Sequence, residues 1–199
     1  MKEVALVIMI GYLLGNFATS YILGKFLKST DIRQYGSGNA GATNALRVFG
    51  IKIAAATFAV DALKGCIAVV IGRAILGEAG GLIAGLSAVV GHNWPIFLRF
   101  KGGKGIASTI GVVLTVNYLS AIVCFFIGII IVIKTRFVSL GSIIAMALLP
   151  LVGLIIVRPF NLHYFIFTVI LSAMAIFRHR SNINRLIKGE ESKIGSKVH

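Results

Sequence analysis

Uncharged stretches long enough to cross a lipid bilayer run through most of this 199-residue chain. Residues 4–24, 79–98, 137–157 and 159–177 carry no Asp, Glu, Lys or Arg over 21, 20, 21 and 19 positions, and a spanning helix needs about 20 apolar residues. Residues 53–76 form another such stretch, interrupted by Asp61, Lys64 and Arg73. Hydrophobic residues make up 57% of the chain and charged residues 13%, whereas soluble domains carry about 25% charged residues. A soluble fold of this size leaves roughly 30% of its surface exposed, too much to hide a mean hydropathy of +0.94. The chain is read as an all-α integral membrane protein, a single domain over residues 1–199.

Residues 105–133 hold 29 uncharged positions and decide the number of crossings. One crossing gives six spans and divides the basic residues 9 to 10 across the membrane. Two crossings, turning near Asn117, give seven spans and divide them 16 to 3. Cytoplasmic loops collect Lys and Arg, so the second arrangement is expected: seven transmembrane helices, N-terminus outside, C-terminus cytoplasmic. One helix, about 104–116, is then short, with 13 residues reaching roughly 20 Å. Polar backbone at membrane depth is tolerated only where it lines protein or water, so a site is expected near that helix's start. The first span is longer than a signal peptide's apolar run and lacks a strongly basic leader, so it is expected to be retained.

A net charge of +14 would suggest nucleic acid in a soluble protein. In a membrane protein it follows from the positive-inside bias, and such loops can also meet anionic lipid or substrate. No nucleic-acid partner is therefore expected. Cys66 and Cys124 lie far apart inside apolar runs, and the histidines show no ligand spacing, so neither a disulfide framework, a metal nor a cofactor is indicated.

In the seven-span arrangement four polar segments share the cytoplasmic face. Residues 36–44, GSGNAGATN, are followed by Arg47. Glycines permit close backbone approach, Ser37, Asn39, Thr43 and Asn44 add polar groups, and Arg47 adds a fork suited to phosphate. Residues 91–105 place Gly102, Gly103 and Lys104 at the start of the short helix, a natural phosphate cradle. It is not a nucleotide-binding P-loop, because Leu98 and Gly105 occupy key positions. Arg136, Ser139 and Ser142 open another helix, with the serines on one face. Residues 178–189 form a basic tail containing His179, which could act as a general base or as a hydrogen-bond partner. Asp61 and Lys64, three apart within a span, are expected to pair.

These segments resemble the bacterial acyl-phosphate:glycerol-3-phosphate acyltransferase family. The matching stretches are GSGNAGATNALRVFG at 36–50, DALKG at 61–65, GHNWPIFLRFKGGKGIAS at 91–108, TRFVSLGSI at 135–143 and RHRSNINRLIKGEE at 178–191. Where many members read Gly-Ser-x-Pro in the first helix, this chain reads Gly15-Asn16-Phe17-Ala18. The resemblance implies a seven-helix enzyme of the bacterial inner membrane, its active site facing the cytoplasm. It would transfer a fatty acyl group from acyl phosphate to the 1-hydroxyl of sn-glycerol 3-phosphate, giving lysophosphatidate and phosphate. On this reading Ser37, Arg47, Lys104 and His179 are the candidate catalytic residues. Gly36, Gly38, Asn39, Thr43, Asn44, His92, Lys101, Gly102, Gly103, Ser139, Ser142, Asn182 and Arg185 are candidates for binding the substrate phosphates. The mixed anhydride carries a good leaving group, so positioning, charge stabilisation and removal of one proton remain. The proton acceptor is either His179 or a substrate phosphate oxygen. The competing expectation is an anion or phosphate transporter, which would favour a midplane site and inverted repeats. A lipid-binding scaffold explains the basic tail but not the glycine-rich segments.

Overall fold

A computed structural model describes residues 1–195, and the regular elements among them are all helices. The chain forms two compact units, Met1–Val116 and the segment from Asn117 on.

In the first unit, the span expected over 4–24 lies within Lys2–Lys28 and is built of two helices, α1 (Lys2–Gly15) and α2 (Thr19–Lys28). The break has a polar cause. Asn16 donates through Nδ2 to the Tyr12 carbonyl and accepts the Ile96 N–H on Oδ1 at 2.6 Å. Lys64 Nζ donates to the freed Phe17 carbonyl at 2.7 Å. The chain bends here with Asn16 and Ala18 in place of serine and proline. A short turn over Ile32–Gln34 leads to α3 (Ala42–Phe49), so the last three residues of the glycine-rich segment read as a loop, Ala42, Thr43 and Asn44, are helical.

The long α4 (Ile51–Asn93) is broken at Leu76 and Gly77, and its halves fold back on each other. Gly72 meets Gly80 and Ala84, while Gly85 meets Val69, so the halves run antiparallel. The second half lies alongside α1 in the same direction, with Gly11 on Ala84, Gly15 on Ala88 and Gly91 on Tyr12. Any Cβ at these glycines would strike backbone, the close packing that holds helices together in lipid. A turn over Ile96–Leu98 and a glycine-rich stretch then deliver α5 (Ile106–Val116), shorter by two residues than the expected 104–116. α5 crosses the first half of α4 at Gly65 and Gly111.

The second unit comprises α6 (Tyr118–Thr135), α7 (Val138–Ile156), α8 (Leu162–Arg178) and α9 (Arg180–Ile187). Asn117 caps α6 by accepting the Ser120 N–H, which explains why the 29-residue apolar run ends one helix and begins another there. Gly128 and Gly141 bring α6 against α7, and Gly153 receives Tyr164 of α8. Asn161 caps α8, and the chain bends by 57° at His179 into α9.

Four helical segments are long and apolar enough to cross a membrane: Lys2–Lys28, Ile51–Leu98, Tyr118–Thr135 and Val138–Ile156. The bent pair α8–α9 makes a fifth if it counts as one span, and α5 is a shorter apolar helix. Exposed Leu6, Met9 and Leu13 on α1, and Ile130 and Ile133 on α6, present surface suited to acyl chains.

Candidate active site

The candidate residues fall into two groups, one in each unit. In the first, residues 29–50 are organised by Asn44 of α3, which is 2% exposed. Its Oδ1 accepts the Ser37 N–H at 2.9 Å, and its Nδ2 donates to the carbonyls of Ile32, Tyr35 and Asn39. Asn44 therefore shapes the loop from inside. Gly36 and Gly38 adopt φ of 59° and 71°, and a Cβ on Gly36 would strike the Asn44 amide. Asn39 Nδ2 donates to the Ser37 carbonyl and hydroxyl. Thr43 and Arg47, four residues apart on α3, share one side of that helix.

Asp31 and Arg33 fasten this loop, and the sequence reading passed over both. The Arg33 guanidinium donates to the Asp31 carboxylate at 2.8 Å and to the Leu98 carbonyl at 3.1 Å. The hydrogen bond from Arg33 holds the Asp31 carboxyl below its ordinary range, against the opposing effect of burial.

The second glycine-rich segment packs on His92, at the end of α4. The Gly103 N–H donates to the His92 carbonyl at 3.1 Å. A Cβ on Gly102 would strike that carbonyl, and one on Gly103 would strike the imidazole at Nε2. The same Cβ on Gly103 would lie 3.1 Å from the Ala40 carbonyl oxygen. Gly103 thus brings the GSGNAGATN and GGKG segments together. Lys104 follows, half-buried, and Gly105 with φ of 80° starts α5. Lys101 is exposed, one residue before the buried glycines.

Beneath this junction lies a buried polar network. Lys64 and Asp61 pair at 2.7 Å, as their spacing suggested. Thr19 donates to Asp61 at 2.9 Å, and His92 Nδ1 lies 3.0 Å from Lys64 Nζ. Thr19 carried no sequence signal, and Asn16 stood out only as a departure from the family's first-helix pattern, because their partners are 42 and 80 residues away.

In the second unit, Ser139, Asn182 and Arg185 converge on a residue the sequence reading did not nominate. Ser139 Oγ and Asn182 Nδ2 each donate to Glu191 Oε1 at 2.7 Å, and Arg185 Nε donates to Oε2 at 2.7 Å. The two adjacent acids among the cations of the tail, Glu190 and Glu191, were the available signal. Glu191 is 7% exposed. Burial alone would raise its carboxyl, but the bonds from Ser139, Asn182 and Arg185 outweigh it and hold the group below the usual range. Arg136 fastens the following segment, donating to the Ile194 carbonyl and accepting its N–H. Ser142 donates to the Val138 carbonyl of its own helix, so the two serines of α7 differ in role. His179 is 3% exposed, and its Nδ1 lies 2.7 Å from the Ala175 carbonyl. That carbonyl only accepts, so the neutral ring carries its proton on Nδ1 and a lone pair on Nε2.

The Glu191 clamp has a testable pH dependence. A carboxyl whose folded value is depressed stabilises fully above its unfolded pKa, about 4.3, and loses that contribution as pH falls through the folded value. Thermal unfolding of Glu191→Gln beside the unaltered protein should show its widest gap near neutral pH and a closing gap in acid. A gap of constant size would refute the assignment.

A family model described as glycerol-3-phosphate acyltransferase matches residues 5–189. The glycerol-3-phosphate acyltransferase of Thermoanaerobacter pseudethanolicus is 51% identical over 189 residues, covering 95% of this chain and 94% of its own. The Alkaliphilus metalliredigens enzyme of that name is 51% identical over 193 residues, covering 97% of each. Among solved structures, the glycerol 3-phosphate form of PlsY (YgiH), an integral membrane glycerol 3-phosphate acyltransferase, is 36% identical with a TM-score of 0.90, covering 96% of both chains. Its lysophosphatidic acid form gives 0.88, covering 96% of this chain and 95% of that one.

Proposed function

Because this chain belongs to the glycerol-3-phosphate acyltransferase family, we propose that it acylates the 1-hydroxyl of sn-glycerol 3-phosphate with acyl phosphate as donor. That it is a glycerol-3-phosphate acyltransferase follows from the family; the donor, the residues and the topology are the proposal. The chain crosses the bilayer seven times, with residues 25–52 and the C-terminal tail in the cytoplasm of a bacterial cell. The support for this orientation is the 16-to-3 division of basic residues.

The observation that carries the reading is the junction of the two glycine-rich segments at Ala40 and Gly103, beside Lys104. Both substrates carry phosphate. Backbone freed of side chains, the start of α5 and a lysine suit such an anion. Ser37, Thr43 and Arg47 contribute side chains from the first segment, while Asn44 and Asn39 set its shape. In the reaction the glycerol hydroxyl oxygen attacks the acyl carbonyl carbon. The carbon–oxygen bond to phosphate breaks, and phosphate departs with the bonding pair. Lys104 stabilises the charge that develops, and His179 accepts the hydroxyl proton on Nε2. Ser142 and the Asn182–Arg185 pair bind substrate at the second unit's polar end, Glu191 fixing the latter pair together with Ser139.

The test is purified protein in lipid with palmitoyl phosphate and glycerol 3-phosphate, and palmitoyl-coenzyme A as a parallel donor. Lysophosphatidate from acyl phosphate alone is the expected result. Product from the thioester instead would overturn the donor assignment, and phosphate accumulating in sealed vesicles without donor would favour transport.

Gly103→Ala tests the junction. The added Cβ forces the imidazole or the Ala40 carbonyl to move, an overpacking cost of about 1–3 kcal/mol. A displacement near 1 Å at a positioned site costs about 10²-fold in activity, so initial rates should fall by that order. Near-normal rates would remove this junction from the site.

A further inference from the structure

Lys64 lies within an apolar stretch of the chain, where an ammonium persists only if its three N–H groups are met. Three acceptors meet them: the Asp61 carboxylate at 2.7 Å, the Phe17 carbonyl at 2.7 Å and His92 Nδ1 at 3.0 Å. An ammonium has no lone pair. The third contact therefore needs a bare Nδ1, which places the imidazole proton on Nε2. The reverse arrangement, a neutral lysine accepting from Nδ1–H, would strip the buried Asp61 carboxylate of its cation. A protonated His92 would stand 3.7 Å from the carboxylate oxygen, an ion-pair distance without a hydrogen bond, whereas Lys64 Nζ donates to that oxygen directly at 2.7 Å, so the charge is better held on Lys64. Nε2 is the edge of the ring that abuts Gly103.

We propose that Lys64 is a positioning residue for acyl transfer: it locks His92 in the Nε2–H form and so presents a fixed donor at the Gly102–Gly103 turn. The proposal rests on the reading of that turn as a phosphate site. Asp61 holds the ammonium, and Thr19 and the Phe17 carbonyl join the network from the break in the first span. The orientation of a donor at the site is thereby tied to a bend in a different helix.

Solid-state NMR of 15N-histidine-labelled protein in lipid reads which ring nitrogen carries the proton. The chain has four histidines, and His92→Gln identifies the signals of this one. Intact protein should show a protonated Nε2 and a bare Nδ1. Removing Lys64 alone strands a buried carboxylate, so the informative variant is Asp61→Leu with Lys64→Met, an apolar replacement of the whole pair. There His92 should become a mixture of tautomers. KM for one of the two phosphate substrates should rise about tenfold to a hundredfold, the loss of one hydrogen bond to a charged group, with kcat changed far less. Asp61→Asn with Lys64→Gln keeps an N–H beside Nδ1 and should restore both tautomer and KM. A protonated Nδ1 in intact protein overturns the proposal by itself. So do tautomers released with both KM values unmoved. If the ring carries Nε2–H and His92→Gln leaves both KM values unchanged, the phosphate reading of the turn fails and this proposal with it.

Discussion

Replacing Lys104 with alanine is expected to lower kcat about 10²–10³-fold, or about 2.7–4 kcal/mol, the amount lost when one preorganised donor to a developing oxyanion is removed. The residue sits between Gly103, which packs on His92, and Gly105, whose φ of 80° turns the chain into α5. Its half-buried position, at the start of a helix whose first N–H groups point outward, strengthens a charge–charge contact relative to bulk water. An acyl phosphate leaves as phosphate, so negative charge grows on the leaving group and on the attacked carbonyl oxygen together. Either is a better partner for an ammonium in the transition state than in the ground state, so the loss should appear in kcat and not only in KM. Lys104→Arg keeps the charge but exchanges a compact ammonium for a planar fork beside closely packed glycines, and should restore only part of the rate. Steady-state rates on folded protein, with thermal unfolding as a control, check both variants. A Lys104→Ala enzyme within threefold of normal turnover would sink the assignment.

Much of the helical layout was legible because charge avoidance is a local property. The uncharged run over 137–157 became α7 at Val138–Ile156, and the run over 159–177 became α8 at Leu162–Arg178. Asn117 was legible as the dividing point of 105–133 because a side chain that caps a helix acts within three residues of its own position. The run over 4–24 lies within one span-length segment, Lys2–Lys28, but its interruption was not legible, for the opposite reason. Its break at Asn16–Ala18 depends on Lys64 and on the Ile96 N–H, distant residues that only the fold brings near.

The site divides along the same line. Residue types suited to phosphate were visible in GSGNAGATN and GGKG, but type does not tell a ligand from a brace. Asn44 shows the difference: its amide accepts one N–H and donates to three carbonyls of its own loop. Likewise Gly102 and Gly103 looked like a place for phosphate, and they are also the space His92 occupies. Glu191 was invisible as a partner because Ser139 is 52 residues earlier in the chain. An acid in a basic tail is ordinary until the donors around it are placed.

His179→Gln should lower kcat about 10²–10⁴-fold, the usual loss when a positioned general base is removed. The prediction follows from the ring's tautomer. Nδ1 is committed to the Ala175 carbonyl one turn back along α8, so the neutral ring has its lone pair on Nε2, and the 57° bend at His179 fixes the ring's place between two helices. Glutamine can supply a donor toward the carbonyl but has no basic nitrogen, so it separates positioning from proton transfer. The expected pattern is a large fall in kcat with a small change in KM for glycerol 3-phosphate. The acidic limb of the kcat profile, which reports a base in the enzyme–substrate complex, should flatten in the variant. A loss below tenfold with the limb intact would transfer the proton to a substrate phosphate oxygen, whose second ionisation near pH 6 also gives an acidic limb. The variant distinguishes them because the substrate's ionisation survives the mutation and the imidazole's does not.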